Sequence, residues 1–306
     1  MRWLAMLCAP ASLWAATHFV TVAGLGGEAE YEQRFNALAA DIDKVLKGSG
    51  GDSRVHTISG VSSTKDKLSG TLAEVAREAK ADDQFVLFLI GHGTFDGSDY
   101  KFNLKGPDIT AIELAALCDR IPAAKQLVVN GTSASGGSLH ALQRANRAVI
   151  TATKSGGERN ATVFLRYWVE ALRDSSADTD KNEAISALEA YRYADQKTVG
   201  FYETAKRLAT EHAMLEDTGN GEGTRKPGVD NDQGMLAARI AVVRLGSAQR
   251  AAADPAKRQL IAKKEELEVK IDRLKLEKAA TPADQYRKDL AKLLLELARV
   301  QEEIDK

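Results

Sequence analysis

The sequence has little cysteine, no long apolar run and almost no net charge, and each shortage excludes a class of protein. Its 306 residues include two cysteines, too few for a disulfide-bonded scaffold. No stretch reaches the roughly 18 apolar residues that suggest a membrane-spanning helix. A formal net charge of -1 lacks the basic excess typical of nucleic-acid binders. We therefore expect a globular protein with no nucleic-acid partner and no membrane span.

The first 16 residues carry one arginine, then a short apolar run, then small residues. This order is typical of a secretory signal peptide with cleavage near Ala16, so we expect a secreted or periplasmic protein. The alternative is a buried N-terminal segment. Cys8 would leave with the signal, and the remaining Cys118 stands in a helical pattern typical of a buried core thiol.

From residue 17 onward the sequence alternates apolar strand patterns with amphipathic helix patterns. Helical spacing covers 28–46, 65–80 and 110–119, and a longer helical stretch runs from 161 to 202. Five segments have the pattern of strands: HFVTVAG, RVHTIS, QFVLFLI, QLVVN and RAVITAT. Alternation with short connections predicts an α/β fold whose mostly parallel sheet has helices on both faces. MLAARIAVVRL predicts a last strand.

The composition changes near residue 250, after which almost every residue is Ala, Leu, Glu, Lys or Arg. Apolar residues then recur at three- and four-residue steps, the heptad spacing of a coiled coil: Leu260, Leu267, Ile271 and Leu274 in a first run, and Tyr286, Leu290, Leu293, Leu297, Val300 and Ile304 in a second. We predict a domain over 17–249 and an antiparallel helical hairpin over 250–306. Its two stripes can bury each other. Self-association or docking of a partner is the alternative role.

Two predicted strands end in turns of small residues, and each turn carries one reactive side chain. His92 follows QFVLFLI and Ser133 follows QLVVN. Sites in open α/β sheets form beyond the carboxyl ends of the strands. A histidine beside a hydroxyl is the minimum for nucleophilic catalysis, and the amides of Gly93 and Ser133 could stabilise an oxyanion. From the spacing alone, ordinary tight turns with a buried histidine are the alternative.

The residues of these turns resemble the legumain-type branch of the caspase-like (clan CD) cysteine peptidases. In that family an apolar strand ends in His-Gly and the next ends in Ala-Cys-x-Ser-Gly, similar to FVLFLIGHG and LVVNGTSASGG here. HFVTVAGLGG and RAVITATKSGGERNATVF are also similar, so the resemblance covers about 17–224. It implies a caspase-like fold and a peptide or protein ligand. The catalytic histidine would then fall on His92 and the nucleophile on Ser133.

The sequence departs from that family at the residues that carry the chemistry. Ser133 replaces the cysteine, and Gly26 stands where the family has an asparagine. A serine hydroxyl is a far weaker acid than a thiol and needs a well-oriented general base. No residue that would orient His92 can be identified. We predict a peptidase-fold protein without cysteine peptidase activity. The alternative is a peptidase or esterase that uses a Ser133–His92 dyad.

The segment DTDKNEAISALE at 178–189 matches the twelve-residue calcium loop of an EF-hand. The ligands at positions one, three, five, seven, nine and twelve would be Asp178, Asp180, Asn182, the carbonyl of Ala184, Ser186 and Glu189. Glu183 occupies the sixth position, where glycine is usual because the turn is sharp. We predict a structural calcium site of weakened affinity. A solvated acidic loop with a helix cap is the alternative.

Overall fold

The computed structural model describes residues 15–228, 231–254, 256–279 and 281–306. Most of the predicted signal segment, including Cys8, lies outside these residues. Ala16 lies inside them and is buried, and its amide donates to Asp83 Oδ1 at 2.7 Å. Throughout the described part of the chain, no helix combines the length and apolarity needed to cross a membrane.

A six-stranded sheet forms the centre of the fold. Numbered in chain order, its strands are β1 (Thr17–Ala23), β2 (Ser53–Ile58), β3 (Gln84–Ile90), β7 (Lys125–Asn130), β8 (Arg147–Thr151) and β10 (Met214–Glu216). The order across the sheet is β10-β8-β7-β3-β1-β2, and only the β10–β8 pair is antiparallel. β3 and β7 are buried on both faces, as their near-continuous apolar sequences predict. The expected mostly parallel sheet is confirmed.

Helices cover both faces of this sheet, because successive strand residues point to opposite sides. One face packs against α1 (Ala29–Gly48), α5 (Phe164–Ala171) and α6 (Ala187–Thr204). The other packs against α2 (Lys65–Glu78), α3 (Ala111–Cys118) and α4 (Leu139–Leu142). Cys118 belongs to the second core, and burial raises the pKa of its thiol to about 11. It is the buried core thiol that its helical pattern indicates.

Two small sheets lie outside the central one. The first is antiparallel and consists of β4 (Gly93–Phe95), β5 (Tyr100–Phe102) and β6 (Ile109–Thr110). The second pairs β9 (Ala184–Ser186) with β11 (Ala241–Arg244).

The last-strand prediction is therefore only partly right. Its segment forms α7 (Met235–Ala238) and then β11, which pairs outside the central sheet. The sixth strand of the central sheet is instead β10, whose three residues are too few to show a periodic pattern.

The C-terminal segment forms α8 (Gly246–Ala253), α9 (Arg258–Leu276) and α10 (Ala283–Asp305). Lys257 donates to the carbonyl of Ile304, and Lys263 pairs with Glu296 at 3.1 Å. The start of α9 thus meets the end of α10, as the predicted antiparallel hairpin requires. The hairpin core includes residues of all three helices: Ala251, Ala252, Ile261, Leu267, Val300 and Ile304. α8 therefore spans the boundary predicted at 249/250.

Candidate functional site

The turns that carry His92 and Ser133 lie side by side at the carboxyl edge of the sheet. They follow β3 and β7, which are parallel neighbours with Leu89 opposite Asn130. The His92 turn leads directly into β4. The fold thus places both turns where the sequence predicts, and the contacts of the side chains decide what the turns can do.

The hydroxyl of Ser133 is bound to the backbone of Gly93. It donates to the Gly93 carbonyl at 3.1 Å and accepts from the Gly93 amide at 3.1 Å. Ser133 is only 3% exposed. Both residues belong to the described part of the chain, and no hydrogen bond there joins Ser133 to His92. The Gly93 amide, an expected oxyanion donor, is therefore occupied by the serine itself.

The imidazole of His92 packs against α1. Its ring centroid lies 4.7 Å from that of Tyr31 and 5.1 Å from that of Phe35, both edge to face. Burial and the positive charge of Arg34 hold the pKa of His92 below its usual value, while a hydrogen bond with the Gly26 backbone acts in the opposite direction. His92 is thus a neutral ring held by aromatic neighbours and one backbone group.

Gly26, which stands where the peptidases that the sequence resembles have asparagine, leaves no room for a side chain. A Cβ atom there would lie 2.3 Å from the amide nitrogen of Glu32. The Gly26 amide donates to Glu32 Oε2 at 3.1 Å, and Lys105 pairs with the same carboxylate group. The start of α1 thus occupies the space that a side chain at position 26 would need.

The serine turn is held by buried polar contacts. The Tyr100 hydroxyl hydrogen-bonds Thr132 Oγ1 at 2.6 Å and lies 3.3 Å from Asn130 Oδ1. Burial raises the pKa of Tyr100 to about 12, so this group keeps its proton. Ala134, which follows Ser133 in the turn, has a φ of 55°, a conformation that costs an alanine about 1 kcal/mol. The turn is rigid and locally strained.

A cavity of 270 Å³ opens beside these turns, between α1 and α5. Its floor includes Ile90, Gly91 and Gly131, which lead into the two turns, and Arg34 and Arg166 also line it. Among the described residues neither guanidinium forms an ion pair; Arg34 donates to the Thr162 carbonyl at 3.3 Å, and Arg166 lies over the Tyr167 ring. Sequence reasoning missed both arginines because they stand in ordinary amphipathic helices 132 positions apart.

Three of the six residues predicted as calcium ligands come together in the loop at 178–189. Carboxylate oxygens of Asp178, Asp180 and Glu189 all lie within 4.8 Å of one another. Burial, followed by the negative charge of Glu189, raises the pKa of Asp180 to about 6. Three carboxylates at this separation repel one another and form an oxygen donor set suited to a hard cation such as calcium.

The same loop also forms the helix cap that was the alternative. Ser186 donates to Glu189 Oε2 at 2.8 Å and accepts from the Glu189 amide at 3.2 Å, closing a capping box at the start of α6. Glu189 Oε1 accepts from the Thr179 amide at 2.8 Å. Asn182 Oδ1 accepts from the Ala184 amide at 2.8 Å. These bonds fix the directions of the side-chain oxygens within the loop.

Glu183 adopts the positive φ expected at the sixth position, with a value of 64°. Its carboxylate hydrogen-bonds the hydroxyl of Ser247 and accepts from the amide of Ala248 at 2.8 Å. Its carbonyl accepts from the amide of Leu245. Glu183 therefore caps the N-terminus of α8, which gives the glutamate a role that glycine could not fill.

Helix α9 brings further charges to the loop. Lys264 donates to the carbonyl of Asn182 at 2.8 Å. Burial, and to a smaller extent the charge of Asp180, raise the pKa of Glu268 to about 7, against the effect of Lys264. Asp180 and Glu268 line one cavity of 460 Å³ between the loop and α9. The sequence gives no signal for Glu268, because a Lys–Glu pair four residues apart is common on helices.

No protein-family model and no curated protein matches this chain. Among solved structures, the Drosophila initiator caspase Dronc is 12% identical, with 68% of this chain and 81% of that chain covered and a TM-score of 0.45. Caspase-1 from Spodoptera frugiperda is 16% identical, with 67% and 86% covered and a TM-score of 0.44. A protein from Geobacter sulfurreducens is 11% identical, with 76% and 99% covered and a TM-score of 0.46.

Two of these structures are caspases, the kind of fold that the sequence resemblance implies.

Proposed function

We propose that this chain is an exported, legumain-related protein of the caspase-like fold that has no peptidase activity. In this proposal it binds a peptide bearing a carboxylate at the carboxyl edge of the sheet, and calcium in the loop at 178–189. The observation that carries the proposal is the hydrogen bonding of Ser133 to the Gly93 backbone.

The contacts of Ser133 argue against nucleophilic catalysis. A nucleophile needs a base within hydrogen-bond reach and an exposed approach for the substrate. Ser133 is buried and bonded to Gly93, whereas the ring of His92 packs on Tyr31 and Phe35. Turnover would require Ser133 to leave two hydrogen bonds and His92 to leave its aromatic contacts.

The cavity between α1 and α5 supports peptide binding. Its walls are mainly apolar, with Phe35, Leu38, Ile90 and Leu165 among the lining residues. Among the described residues Arg34 and Arg166 have no ion-pair partner, whereas Asp41, which also lines the cavity, is paired with Arg173. Two such cations at an apolar pocket suit a ligand with an apolar side chain next to a carboxylate.

The loop at 178–189 supports calcium binding through both its spacing and its geometry. Its three carboxylates converge, and β9 and the first turn of α6 hold the C-terminal half of the loop. A calcium ion would be held by Asp178, Asp180 and Glu189, with Asn182 and the Ala184 carbonyl beside them. Its role would be structural, because it would neutralise repelling carboxylates between the domain and the hairpin.

Peptide binding and cleavage can be tested with one set of probes. Fluorescein-labelled hexapeptides with an apolar residue followed by Asp, Asn or Arg would report binding by fluorescence anisotropy. The same peptides as coumarin amides would report cleavage. We expect the Asp peptides to bind at least about 10-fold more tightly than the Asn peptides, since a charge-assisted hydrogen bond is worth about 1.5 to 3 kcal/mol. We expect no release of coumarin.

Arg34→Gln and Arg166→Gln should each weaken the binding of the Asp peptides by about 10-fold. Arg77→Gln is the matched control, because it removes the same charge from an exposed position on α2. Equal binding of Asp and Arg peptides would refute the proposed pocket. Coumarin release by the wild type that Ser133→Ala abolishes would refute the non-catalytic assignment and favour the dyad.

A further inference from the structure

Helix α10 carries a second apolar stripe that the hairpin does not cover. The seam against α9 uses Leu293, Leu297, Val300 and Ile304. Beyond the first turn of α10, four other apolar residues are exposed and form the outer stripe: Ala291, Leu294, Leu295 and Ala298. They recur at steps of three, one and three residues, so at 100° per residue they share one face of the helix. Leu294 is 47% exposed and Leu295 63% exposed.

The ends of the outer stripe carry opposite charges. Arg287 lies one turn before Ala291 on this face, and Glu302 lies one turn after Ala298. Both are exposed. Within the protein Arg287 pairs with Asp284 and Glu302 with Lys306, all at the surface, where such pairs contribute little stability.

The stripe has the same order of residue types from either end: a charged residue, then alanine, then leucine. Only the sign of the charge differs between its two ends. A two-fold axis midway between Leu294 and Leu295 would place these two leucines against each other in an antiparallel pair of helices. The same axis sets Ala291 against Ala298, where small side chains permit close approach. It also sets Arg287 against Glu302, twice by symmetry. A two-fold interface requires this kind of self-complementary surface.

We propose that the outer stripe of α10 binds the same stripe of a second copy of this chain, antiparallel and about a two-fold axis. Burial of the leucines drives the association, and the Arg287–Glu302 pairs fix its direction. The seam inside the hairpin stays intact, since the outer stripe lies on a different face.

The dimer is weak and concentration-dependent. Two 23-residue helices bury an area toward the low end of specific interfaces, which typically cover about 1,200 to 2,000 Å² in total. One flank of the stripe carries three positive charges, which oppose the close approach of a second copy: Lys288, Lys292 and Arg299. Asp284 and Asp305 face each other at the exposed ends, where solvent screens their repulsion.

Sedimentation equilibrium of the full chain across micromolar concentrations tests the association. We expect the average mass to rise from monomer toward dimer with concentration. Leu295→Glu should weaken dimerisation by at least about 10-fold. Leu208→Glu is the matched control, because Leu208 is 91% exposed and lies outside α10. A wild type that stays monomeric throughout, or equal effects of the two variants, would overturn the proposal.

Charge exchange tests the direction of pairing. Arg287→Glu and Glu302→Arg should each weaken dimerisation, because each places like charges opposite each other. The double variant should restore it, because the two pairs are then only reversed. A parallel dimer would lack this pattern, since its like residues already face each other. The antiparallel pairing would be ruled out if the single variants dimerised as tightly as the wild type. It would also be ruled out if the double variant dimerised no more tightly than the single variants. Circular dichroism confirms that each variant keeps its helices.

Discussion

The sheet edge and the loop at 178–189 both carry motifs recognised from sequence, but they differ in whether the expected side-chain contacts form. At the sheet edge the residues arrive in neighbouring turns, and the side chain of Ser133 then bonds Gly93 rather than His92. In the loop, Asp178, Asp180 and Glu189 converge as their spacing predicts. A motif within twelve residues constrains its own contacts, whereas a motif from two separate turns depends on everything packed around them.

Gly93→Ala should have the largest effect on stability, because the atoms around Gly93 leave no space for a side chain. The new Cβ would lie 2.5 Å from the Ser133 carbonyl oxygen and 2.5 Å from the Tyr100 ring. We expect a loss of about 3 kcal/mol in the free energy of unfolding, measured by urea denaturation. Gly70→Ala is the control: its site on α2 is open, so alanine should stabilise the helix. Equal stability of Gly93→Ala and the wild type would show that the turns are loose.

Calcium should have the next largest effect, and it acts on the loop alone. At a free concentration about 100-fold above its Kd, calcium should add about 2.7 kcal/mol of stability. For a domain of this size, that raises the Tm by roughly 5 to 10 °C. Glu189→Gln should remove the shift while glutamine keeps the capping box.

The control for the calcium experiment is Glu113→Gln. Glu113 forms the same capping box with Thr110 at the start of α3, away from the acidic loop. This variant should keep the full calcium shift in a thermal scan. Loss of the shift in both variants, or in neither, would contradict calcium binding by Glu189.

Ser133→Ala tests the sheet edge at the level of hydrogen bonds. The substitution leaves the buried amide and carbonyl of Gly93 without the serine hydroxyl, so we expect a loss of about 1 to 3 kcal/mol. Ser98→Ala, at an exposed position of the adjoining β4–β5 turn, should change stability by less than about 0.5 kcal/mol. If both variants unfold at the same urea concentration, the Ser133 hydroxyl is free and the case for catalysis improves.

The smallest effect concerns pH. Because the pKa of His92 is lowered in the folded protein, the unfolded chain binds its proton more readily. Stability should therefore fall as the pH drops below about 6.5 toward the lowered pKa. His92→Gln should make this dependence shallower. Buried His18, whose pKa is also lowered, keeps some dependence in the variant. An unchanged slope in His92→Gln would contradict the burial of its ring.

The strands of the sheet could be predicted because their signals are local, and so could the convergence of three carboxylates in the loop at 178–189. β3 and β7 are short, almost wholly apolar segments, which is typical of strands buried on both faces of a sheet. The spacing of the acidic residues at 178–189 is a property of twelve consecutive residues. The contacts of Ser133 could not be predicted, since they depend on where the Gly93 backbone lies after folding. The exclusion of a side chain at Gly26 likewise comes from the approach of α1. Short β10 had too few residues for any pattern to appear.

Because Glu183 caps α8, position 183 has to satisfy two structural requirements: the sharp backbone turn of the loop and the cap of the helix. Glycine at this position would remove the strained φ and suit a calcium turn better. It would also release Ser247 and Ala248 at the first turn of α8. In the calcium site proposed above, the backbone turn at position 183 and the attachment of α8 to the loop therefore favour different residues, and Glu183 favours the attachment.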